Sequence, residues 1–458
     1  MEREEVERIT NVTLVNEFHL YKEIFNTNND IKEEIFEIPK KEEDCIIYNV
    51  KKEDIDSDGK VQIIGENKFT DDFVKINKNN VSLIINGEQV ELCYKYKLQL
   101  GENKIKFVFK EEIKSYNSLF SGCTSLSDIS VLKDWDVSKG TDFKYLFKGC
   151  KSLSNVSALS NWDVSNGIYF SSLFEDCSSL SDISALKNWN VSKGTNFISF
   201  FKGCSSLKDI SALKDWNMNK CISFIYLFKG CKSLEDISSL KNWNVSSGVN
   251  FSSLFHDCIC LSDISSIKNW NVSSGTHFAS MFNNCSSLKD ISPLINWDVS
   301  KGIDFNNLFN SCKSLRNING LEKWNVSNGT NFSSIFKDCI FLSDISSLRN
   351  WNVFRGTNFS SLFENCSSLS DISPLQKWEL NRGINFNSLF KGCKSLESTS
   401  PLKDWNLSSG VNLDYLFKDC ISLSNVSVVK NWNITSEINL KSLFQGCPIN
   451  KNNNIFFI

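Results

Sequence analysis

Thiols recur at a fixed interval along this chain, and thiols can bind metal, form disulfides or act as nucleophiles. Thirteen of the 17 cysteines are equally spaced, at the interval that separates Cys123 from Cys150. These ladder cysteines are Cys123, Cys150, Cys177, Cys204, Cys231, Cys258, Cys285, Cys312, Cys339, Cys366, Cys393, Cys420 and Cys447. Zinc sites use paired or clustered Cys and His ligands, whereas each unit supplies one ladder cysteine. We therefore expect a row of small buried thiols, with no metal site and no cofactor.

Disulfide bridges are not expected between neighbouring units. If each ladder cysteine lies on a short helix, neighbouring helices are about 8–10 Å apart, too far for an S–S bond without backbone movement. Cys260 follows the ladder residue Cys258 at a position where other units have serine, and we interpret it as a substitution. Unpaired thiols in this number favour a reducing compartment.

The sequence offers no histidine placed to act as the base for a catalytic nucleophile. Three histidines, His19, His256 and His277, are scattered through the chain, so Ser-His-Asp and Cys-His arrangements are not predicted. The run from Asp54 to Gly59 resembles the start of a calcium loop, but Gly65 stands where that loop needs a glutamate. We expect no catalytic residues and interpret the run as an acidic turn.

The cysteine spacing belongs to a repeat that also includes all twelve tryptophans, from Trp135 to Trp432. The repeat covers residues 113–458 in about 12–13 units, and residues 1–112 do not show it. Units of this length stack so that neighbours bury a continuous core. Because repeat arrays mostly present surfaces, we predict a binding protein and not an enzyme.

Each unit is predicted to contain a short strand, a turn and a short helix. Apolar or thiol residues at i, i+3, i+4 and i+7 mark one face of that helix. One such stripe is Phe143, Leu146, Phe147 and Cys150. Asp142 precedes it as an N-cap and Gly149 ends it. Residues 125–130 and 135–137 alternate apolar and polar side chains and are predicted to be extended, and Gly140 turns the chain back.

Residues 1–112 are predicted to form an acidic segment, partly helical over residues 1–40, and a small β-rich cap on the first unit. The Asn86-Gly87 pair lies between two alternating runs within residues 84–92. This arrangement predicts a β-hairpin with its turn at Asn86-Gly87.

The repeated pattern resembles that of BspA-like leucine-rich-repeat surface proteins of bacteria and parasitic protists. The shared features are a Phe, Cys and Leu core and a Trp-Asn-Val-Ser turn, over residues 113–458. The copy nearest to the family pattern contains Met281, Phe282, Cys285 and Leu288. The chain departs from that pattern after the serine of the turn, where most units have glycine in place of an apolar residue.

This resemblance implies an α/β repeat solenoid, a right-handed leucine-rich-repeat-like coil of 27-residue units. It implies adhesion to host matrix or binding to other proteins, with a protein or glycan ligand. It also implies a location at the cell surface or in the medium. No catalytic motif is shared by the family, so the resemblance implies no catalytic residues.

The charge balance argues against two classes of partner. The 458 residues include 50 basic and 53 acidic ones, for a net charge of −3, whereas nucleic-acid or membrane-surface binding favours a basic excess. No apolar run approaches the roughly 20 residues that a membrane-spanning helix needs, so no integral membrane segment is predicted. The N-terminus lacks the apolar stretch of a secretory signal, and taken alone the sequence predicts a cytoplasmic protein.

Contact residues are predicted where units break the pattern. They are Tyr145, Cys221, Tyr226, Phe354, Arg355 and Tyr415. Three tyrosines replace serine at one position of the unit, Cys221 replaces a turn glycine, and the Phe354-Arg355 pair interrupts another turn. Aromatic side chains and arginine are enriched at binding surfaces.

Several alternatives stay open at this point. A row of lysines is either a basic stripe for anionic glycans or a solvated face interrupted by Glu175 and Glu364. The row consists of Lys148, Lys202, Lys229, Lys337, Lys391 and Lys418. The protein is either a surface adhesion protein or an intracellular interaction scaffold, and a more remote alternative is an enzyme with its chemistry in residues 1–112. The oligomeric state is not predicted.

Overall fold

The computed structural model describes residues 45–65, 81–109, 113–407, 411–424, 426, 432 and 440–448. The chain divides into two compact units, Met1–Lys41 and Glu42–Ile458, and every described residue lies in the second unit. The predicted helical character of residues 1–40 therefore lies outside the described residues.

The described residues contain seven β-strands, all between residues 46 and 128. They are β1 (Ile46–Val50), β2 (Val61–Gln62), β3 (Val81–Ile85), β4 (Glu88–Val90), β5 (Lys95–Tyr96), β6 (Gly101–Phe109) and β7 (Leu126–Asp128). Five form an antiparallel sheet in the order β4-β3-β6-β1-β7, and β2 pairs with β5. Because β7 belongs to the first repeat, the N-terminal sheet is hydrogen-bonded directly to the repeats.

The predicted hairpin is confirmed. Strands β3 and β4 pair with Ile85 opposite Glu88, and the two residues between them have positive φ, 50° at Asn86 and 88° at Gly87. This is the backbone that two-residue hairpins favour, because its twist matches that of the strands. Val81, Leu83 and Ile85 alternate with less buried residues, so one face of β3 lies on the core.

Each repeat forms one coil, and the coils stack in parallel. Single parallel β-bridges join equivalent positions of consecutive coils, from Ser115↔Asp142 to Asn385↔Asn412. Hydrogen-bonded strands lie about 4.8 Å apart, so the coils are much closer than the roughly 8–10 Å expected of packed helices. The geometric reason given against disulfides was therefore wrong, although all 17 cysteines are free.

The predicted short helix over Phe143–Cys150 is wrong, because this segment is a run of overlapping turns. Three N–H groups donate to the carbonyl three residues earlier, and the alternate N–H groups donate to the next coil. The first set is Leu146, Lys148 and Cys150, and the second is Phe143, Tyr145, Phe147 and Gly149. Positive φ at Tyr145 (58°) and Gly149 (74°) prevents a continuous α-helix.

The tandem turns still bury the predicted stripe. Phe143, Leu146, Phe147 and Cys150 are all fully buried. In other coils the residue equivalent to Tyr145 is mostly serine, and the residue equivalent to Gly149 is often aspartate, asparagine or serine. These residues also have positive φ, for example 56° at Ser172 and 59° at Asp176. These short polar residues tolerate the left-handed region better than bulkier ones.

A 3-10 turn forms the opposite side of most coils. Ten such turns occur in the described coils: Ser130–Asp134, Ser157–Asn161, Ser184–Asn188, Ser211–Leu213, Ser238–Asn242, Ser265–Ile267, Ser292–Asn296, Ser346–Leu348, Ser373–Leu375 and Ser400–Leu402. The predicted extended segment before them is confirmed at β7 and at two bridges, Asn155↔Asp182 and Asn317↔Asp344. The predicted extended segment at residues 135–137 forms no strand. One short α-helix, α1 (Leu440–Leu443), lies near the end of the described residues.

Buried side chains add a second set of bonds between coils. The indole Nε1 of eleven tryptophans donates to a main-chain carbonyl 30 residues earlier, as Trp162 does to Leu132 at 2.7 Å. Twelve ladder cysteines do the same with Sγ, as Cys150 does to Phe120 at 3.1 Å. Both residue types therefore contribute a donor as well as volume.

Replacing Trp270 by phenylalanine should lower the free energy of unfolding by about 0.5–1.5 kcal/mol, because it removes one of the two hydrogen bonds that the buried Leu240 carbonyl accepts, the other coming from the Trp243 N–H. That carbonyl now accepts from Nε1 of Trp270 at 3.0 Å. Urea denaturation monitored by circular dichroism measures the effect. Trp135→Phe is the matched control, because in the described residues the Trp135 indole has no such acceptor. Equal losses in both variants would contradict the role of the bond.

Candidate binding surface

The three predicted tyrosines share one position in the run of tandem turns. Tyr145 and Tyr226 are three coils apart, and Tyr415 lies seven coils after Tyr226. At about 4.8 Å per coil, these separations are about 15 Å and about 35 Å. The tyrosines therefore lie on one side of the stack but do not form a single cluster.

Cys221 does not belong to a contact surface, contrary to the prediction. It is fully buried, and its Sγ donates to the Ser223 carbonyl at 3.3 Å. Most other coils have glycine at this position because a phenylalanine ring passes close by. A β-carbon on Gly167, for example, would lie 2.2 Å from Cζ of Phe170. This close approach, and not a positive φ, accounts for the glycine after the serine turn.

Phe354 and Arg355 lie on a different turn from the tyrosines. Phe354 is 38% exposed and the Arg382 guanidinium lies 5.2 Å from its ring centroid. Arg355 Nη1 donates to Asn328 Oδ1 at 2.9 Å. The structure thus places the predicted contact residues on two separate parts of the coil.

Tyr226 lies at the centre of an exposed patch of apolar and basic residues. We define the Tyr226 patch as Ile222, Ile225, Tyr226, Lys202 and Lys229. The Tyr226 ring is 37% exposed and Ile222 is 43% exposed. Lys229 Nζ lies 5.2 Å and Lys202 Nζ 5.9 Å from the ring centroid, within the range of cation–π attraction.

The backbone holds Tyr226 outward. Its φ of 58° and the bond from its N–H to the Ser252 carbonyl (3.1 Å) fix the turn. Phe224 and Phe228, two residues to either side, are fully buried. The side chain between them must therefore point away from the core.

The lysine row is not a continuous basic stripe. Glu175 accepts from Lys148 at 3.0 Å and from Lys202 at 2.6 Å. Glu364 pairs in the same way with Lys337 at 2.9 Å and Lys391 at 2.8 Å. Two nearly buried carboxylates thus each join the lysines of the coils on both sides.

Burial raises the pKa of the Glu175 carboxyl, but hydrogen bonds from Lys202, Ser172 and Lys148 outweigh burial and leave the pKa lowered. The pKa of Glu364 has the same balance, with Lys391 and Lys337 as donors. Both carboxylates are therefore charged at neutral pH, and both trios stabilise the stack.

The acidic run from Asp54 to Gly59 is held by its own contacts. Asp56 Oδ1 accepts the N–H groups of Asp58 and Lys60, and its Oδ2 pairs with Lys95 at 3.0 Å. The acidic run is thus a closed turn. Burial and the Lys229 charge lower the pKa of His256, so it is uncharged at pH 7. No group of three metal-ligating side chains was found in the part of the chain that the structure describes.

A longer period escaped the sequence analysis, which treated all units as equivalent. The residue after the ladder cysteine repeats every three coils, as Lys232 and Lys313 do. From Cys231 onward this series is Lys232, Ile259, Ser286, Lys313, Ile340, Ser367, Lys394 and Ile421. Comparing units three apart, and not only neighbours, would have revealed it.

One full period of this series lines a shallow groove of about 470 Å³. Its lining includes Lys313, Asp338, Ile340, Asn365, Ser367 and Lys394. Asn365 Nδ2 donates to Asp338 Oδ1 at 2.7 Å, so these two side chains satisfy each other across neighbouring coils. The groove is therefore a surface of mixed charge.

A family model described as "Mycoplasma protein of unknown function, DUF285" matches four overlapping stretches of the chain, residues 96–210, 201–315, 289–399 and 344–456. The chain belongs to this family. The matches extend over the described coils and support the 27-residue repeat, and the family description assigns no function.

No curated protein matches the chain. A leucine-rich cell surface protein from Faecalibacterium prausnitzii has a similar solved structure, at 17% identity over 66% of this chain and 78% of that chain, with a TM-score of 0.32. At that TM-score the similarity carries no argument about this chain. Within the described residues, no helix is long and apolar enough to cross a membrane.

Thiol reagents should distinguish the buried cysteines from the others. Thirteen cysteines are buried, Cys93 is exposed, and Cys45, Cys260 and Cys447 are partly buried. Burial raises the pKa of Cys123 to about 12, so the reactive thiolate is scarce as well as covered. With Ellman's reagent at pH 8 we expect fast reaction at Cys93, slow reaction at the three partly buried thiols, and thirteen more thiols only in urea. Rapid modification of the thirteen buried cysteines in the folded protein would refute this.

Glu175→Gln should lower the free energy of unfolding by about 1.5–3 kcal/mol at pH 7, because it removes charge-assisted bonds to two lysines. The lowered pKa means that the contribution is present above the unfolded pKa of about 4.3 and is lost as pH falls through the folded value. Urea midpoints at pH 7 and pH 3 measure this, and the difference from wild type should shrink at pH 3. Glu235→Gln, which breaks an exposed pair with Lys208, is the control and should change little.

Proposed function

We propose that this chain is a non-enzymatic binding scaffold and that the Tyr226 patch is its main contact surface. The observation that carries the proposal is the exposure of an aromatic ring between two lysines, in a row where every other member except Tyr145 and Tyr415 is serine or asparagine. Most equivalent positions carry serine, as at Ser172, Ser253 and Ser334. An exposed aromatic with cationic neighbours is typical of contact residues.

The interior of the coils favours a structural role over a catalytic one. The ladder thiols donate to main-chain carbonyls, and burial raises their pKa, as at Cys150 and Cys258. The nearly buried carboxylates Glu175 and Glu364 are each paired with two lysines. Buried thiols with a raised pKa and carboxylates held in ion pairs are poor nucleophiles and bases. Their arrangement supports a binding role and not a catalytic one.

The finer assignment follows the sequence resemblance. We propose a BspA-like surface or adhesion protein built as a right-handed leucine-rich-repeat-like coil, with a protein or glycan ligand. Lys229 beside Tyr226 favours a ligand that carries acidic groups, because it has no carboxylate partner among the described residues, whereas Lys202 is paired with Glu175. An intracellular interaction scaffold is the second candidate, favoured by 17 free cysteines.

Labelling of intact producing cells separates these two candidates. A membrane-impermeant amine reagent should modify the protein on intact cells if it is at the surface, while a cytosolic marker stays unmodified. Labelling that requires lysis would overturn the adhesion assignment and leave the intracellular scaffold.

Tyr226→Ser should weaken ligand binding by about tenfold or more, as expected for an aromatic contact residue. Serine is the residue of equivalent coils and tolerates the positive φ, so the fold is retained. Binding of the full chain to immobilised heparin, hyaluronan, dextran, collagen and fibronectin is measured by surface plasmon resonance. Phe354→Ser, which also restores the residue of other units, is the control. Undiminished binding by Tyr226→Ser would contradict the patch.

A further inference from the structure

Two uninterrupted rows of opposite charge run along the 3-10 turns of consecutive coils. The acidic row is Asp182, Asp209, Asp236, Asp263 and Asp290, and the basic row is Lys187, Lys214, Lys241 and Lys268. All nine side chains are exposed. In each coil the lysine follows the aspartate at the same short separation, as Lys187 follows Asp182, so the two rows are parallel.

The turns hold the acidic row in place. In every coil of the row the aspartate Oδ1 accepts the N–H of the serine two residues later, at 2.7–2.9 Å. This bond fixes each carboxylate at the start of its turn. The carboxylates therefore form a regular line, and their position does not depend on the flexible part of the side chain.

The step of this line follows from the adjacent tryptophans. Trp162 and Trp189 have ring centroids 6.4 Å apart and nearly parallel planes, and so do Trp270 and Trp297. Trp189 and Trp270 closely follow the first and last lysines of the basic row. Four steps of between about 4.8 Å, the spacing of hydrogen-bonded strands, and 6.4 Å, the spacing of these rings, give the acidic row a length of about 20–25 Å.

The two rows do not neutralise each other by direct contact. Among the described residues no ion pair joins any member of one row to a member of the other, and like charges are neighbours within each row. This arrangement is confined to these coils. Outside it the equivalent positions are interrupted by Asn155, Asn317 and Ser398 in the acidic line and by Ile295, Glu322 and Gln376 in the basic line.

We propose that this charged edge pairs with the same edge of a second copy of the chain. A two-fold axis parallel to the stack places the acidic row of each copy against the basic row of the other. Both rows run in the same direction and repeat at the same interval. Every lysine of one copy therefore faces an aspartate of the other, as an isologous interface requires. The fit is specific to a second copy, because an unrelated partner would need two adjacent rows of opposite sign at the same step.

The proposal predicts a weak and salt-sensitive dimer. A contact about 20–25 Å long across two rows falls at the small end of protein interfaces, and exposed charges are screened within about 10 Å at 0.1 M salt. The rows lie on the 3-10 turns, whereas Tyr226 lies on the tandem turns, so the dimer does not depend on the proposed ligand-binding function.

Sedimentation velocity of the full chain tests the proposal with two charge-reversed variants. One carries K187E, K214E, K241E and K268E, and the other carries D182K, D209K, D236K and D263K. We expect wild type to dimerise at 50 mM NaCl and to dissociate at 500 mM. Each variant alone should remain monomeric, because all four facing pairs of side chains then have the same sign, and an equimolar mixture should form a dimer at 50 mM.

The Asp-to-Lys variant also loses the hydrogen bonds from the serine N–H groups to the aspartate carboxylates. A third variant, with D182N, D209N, D236N and D263N, controls for this loss. Asparagine keeps this bond at Asn155, whose Oδ1 accepts the Ser157 N–H. This variant should fold and dimerise at least tenfold more weakly than wild type. A monomeric wild type at low salt, a dimer that survives charge reversal or 500 mM NaCl, or a mixture of folded variants that stays monomeric would overturn the proposal. So would a monomeric wild type that binds polylysine, since the acidic row would then serve another partner.

Discussion

The structure depends on the fact that no coil can satisfy its own main-chain polar groups. Along the tandem turns every second N–H donates to the following coil. In the opposite direction, buried tryptophan and cysteine side chains donate to carbonyls of the preceding coil. An unpaired buried polar group is costly, so each coil is stable only with neighbours on both sides, and the first coil obtains one from strand β1.

This constraint explains what the sequence could and could not predict. The period, the buried positions and the Asn86-Gly87 hairpin are local patterns and were readable. A helix could not be distinguished from overlapping turns, because both bury a stripe at i, i+3, i+4 and i+7 equally well. Hydrogen bonds between neighbouring coils, such as the one from the Phe143 N–H to the Tyr169 carbonyl, favour the turns over a helix. The sequence of a single unit does not reveal these bonds. The glycine at position 167 illustrates the same limit, since its cause is the Phe170 ring.

The candidate surface was partly predictable for a related reason. A residue that breaks a repeat is visible in the sequence, but its direction is set by the coil. Tyr226 and Cys221 both break the pattern, yet one projects between buried phenylalanines and the other fills space beside Ser223. Likewise the lysine row looked uniform until the structure showed Glu175 and Glu364 bonded to lysines of adjacent coils.

The three-coil period has a consequence for how the protein changes over evolutionary time. Because every junction between coils uses the same bonds, an in-frame recombination between coding segments three units apart adds or removes three whole coils and leaves the remaining junctions intact. The series from Lys232 to Ile421 keeps its phase through such an exchange. Such an exchange would change the length of the array while each copy displays the same surface motif, whereas exchange of a single unit would shift that motif out of phase.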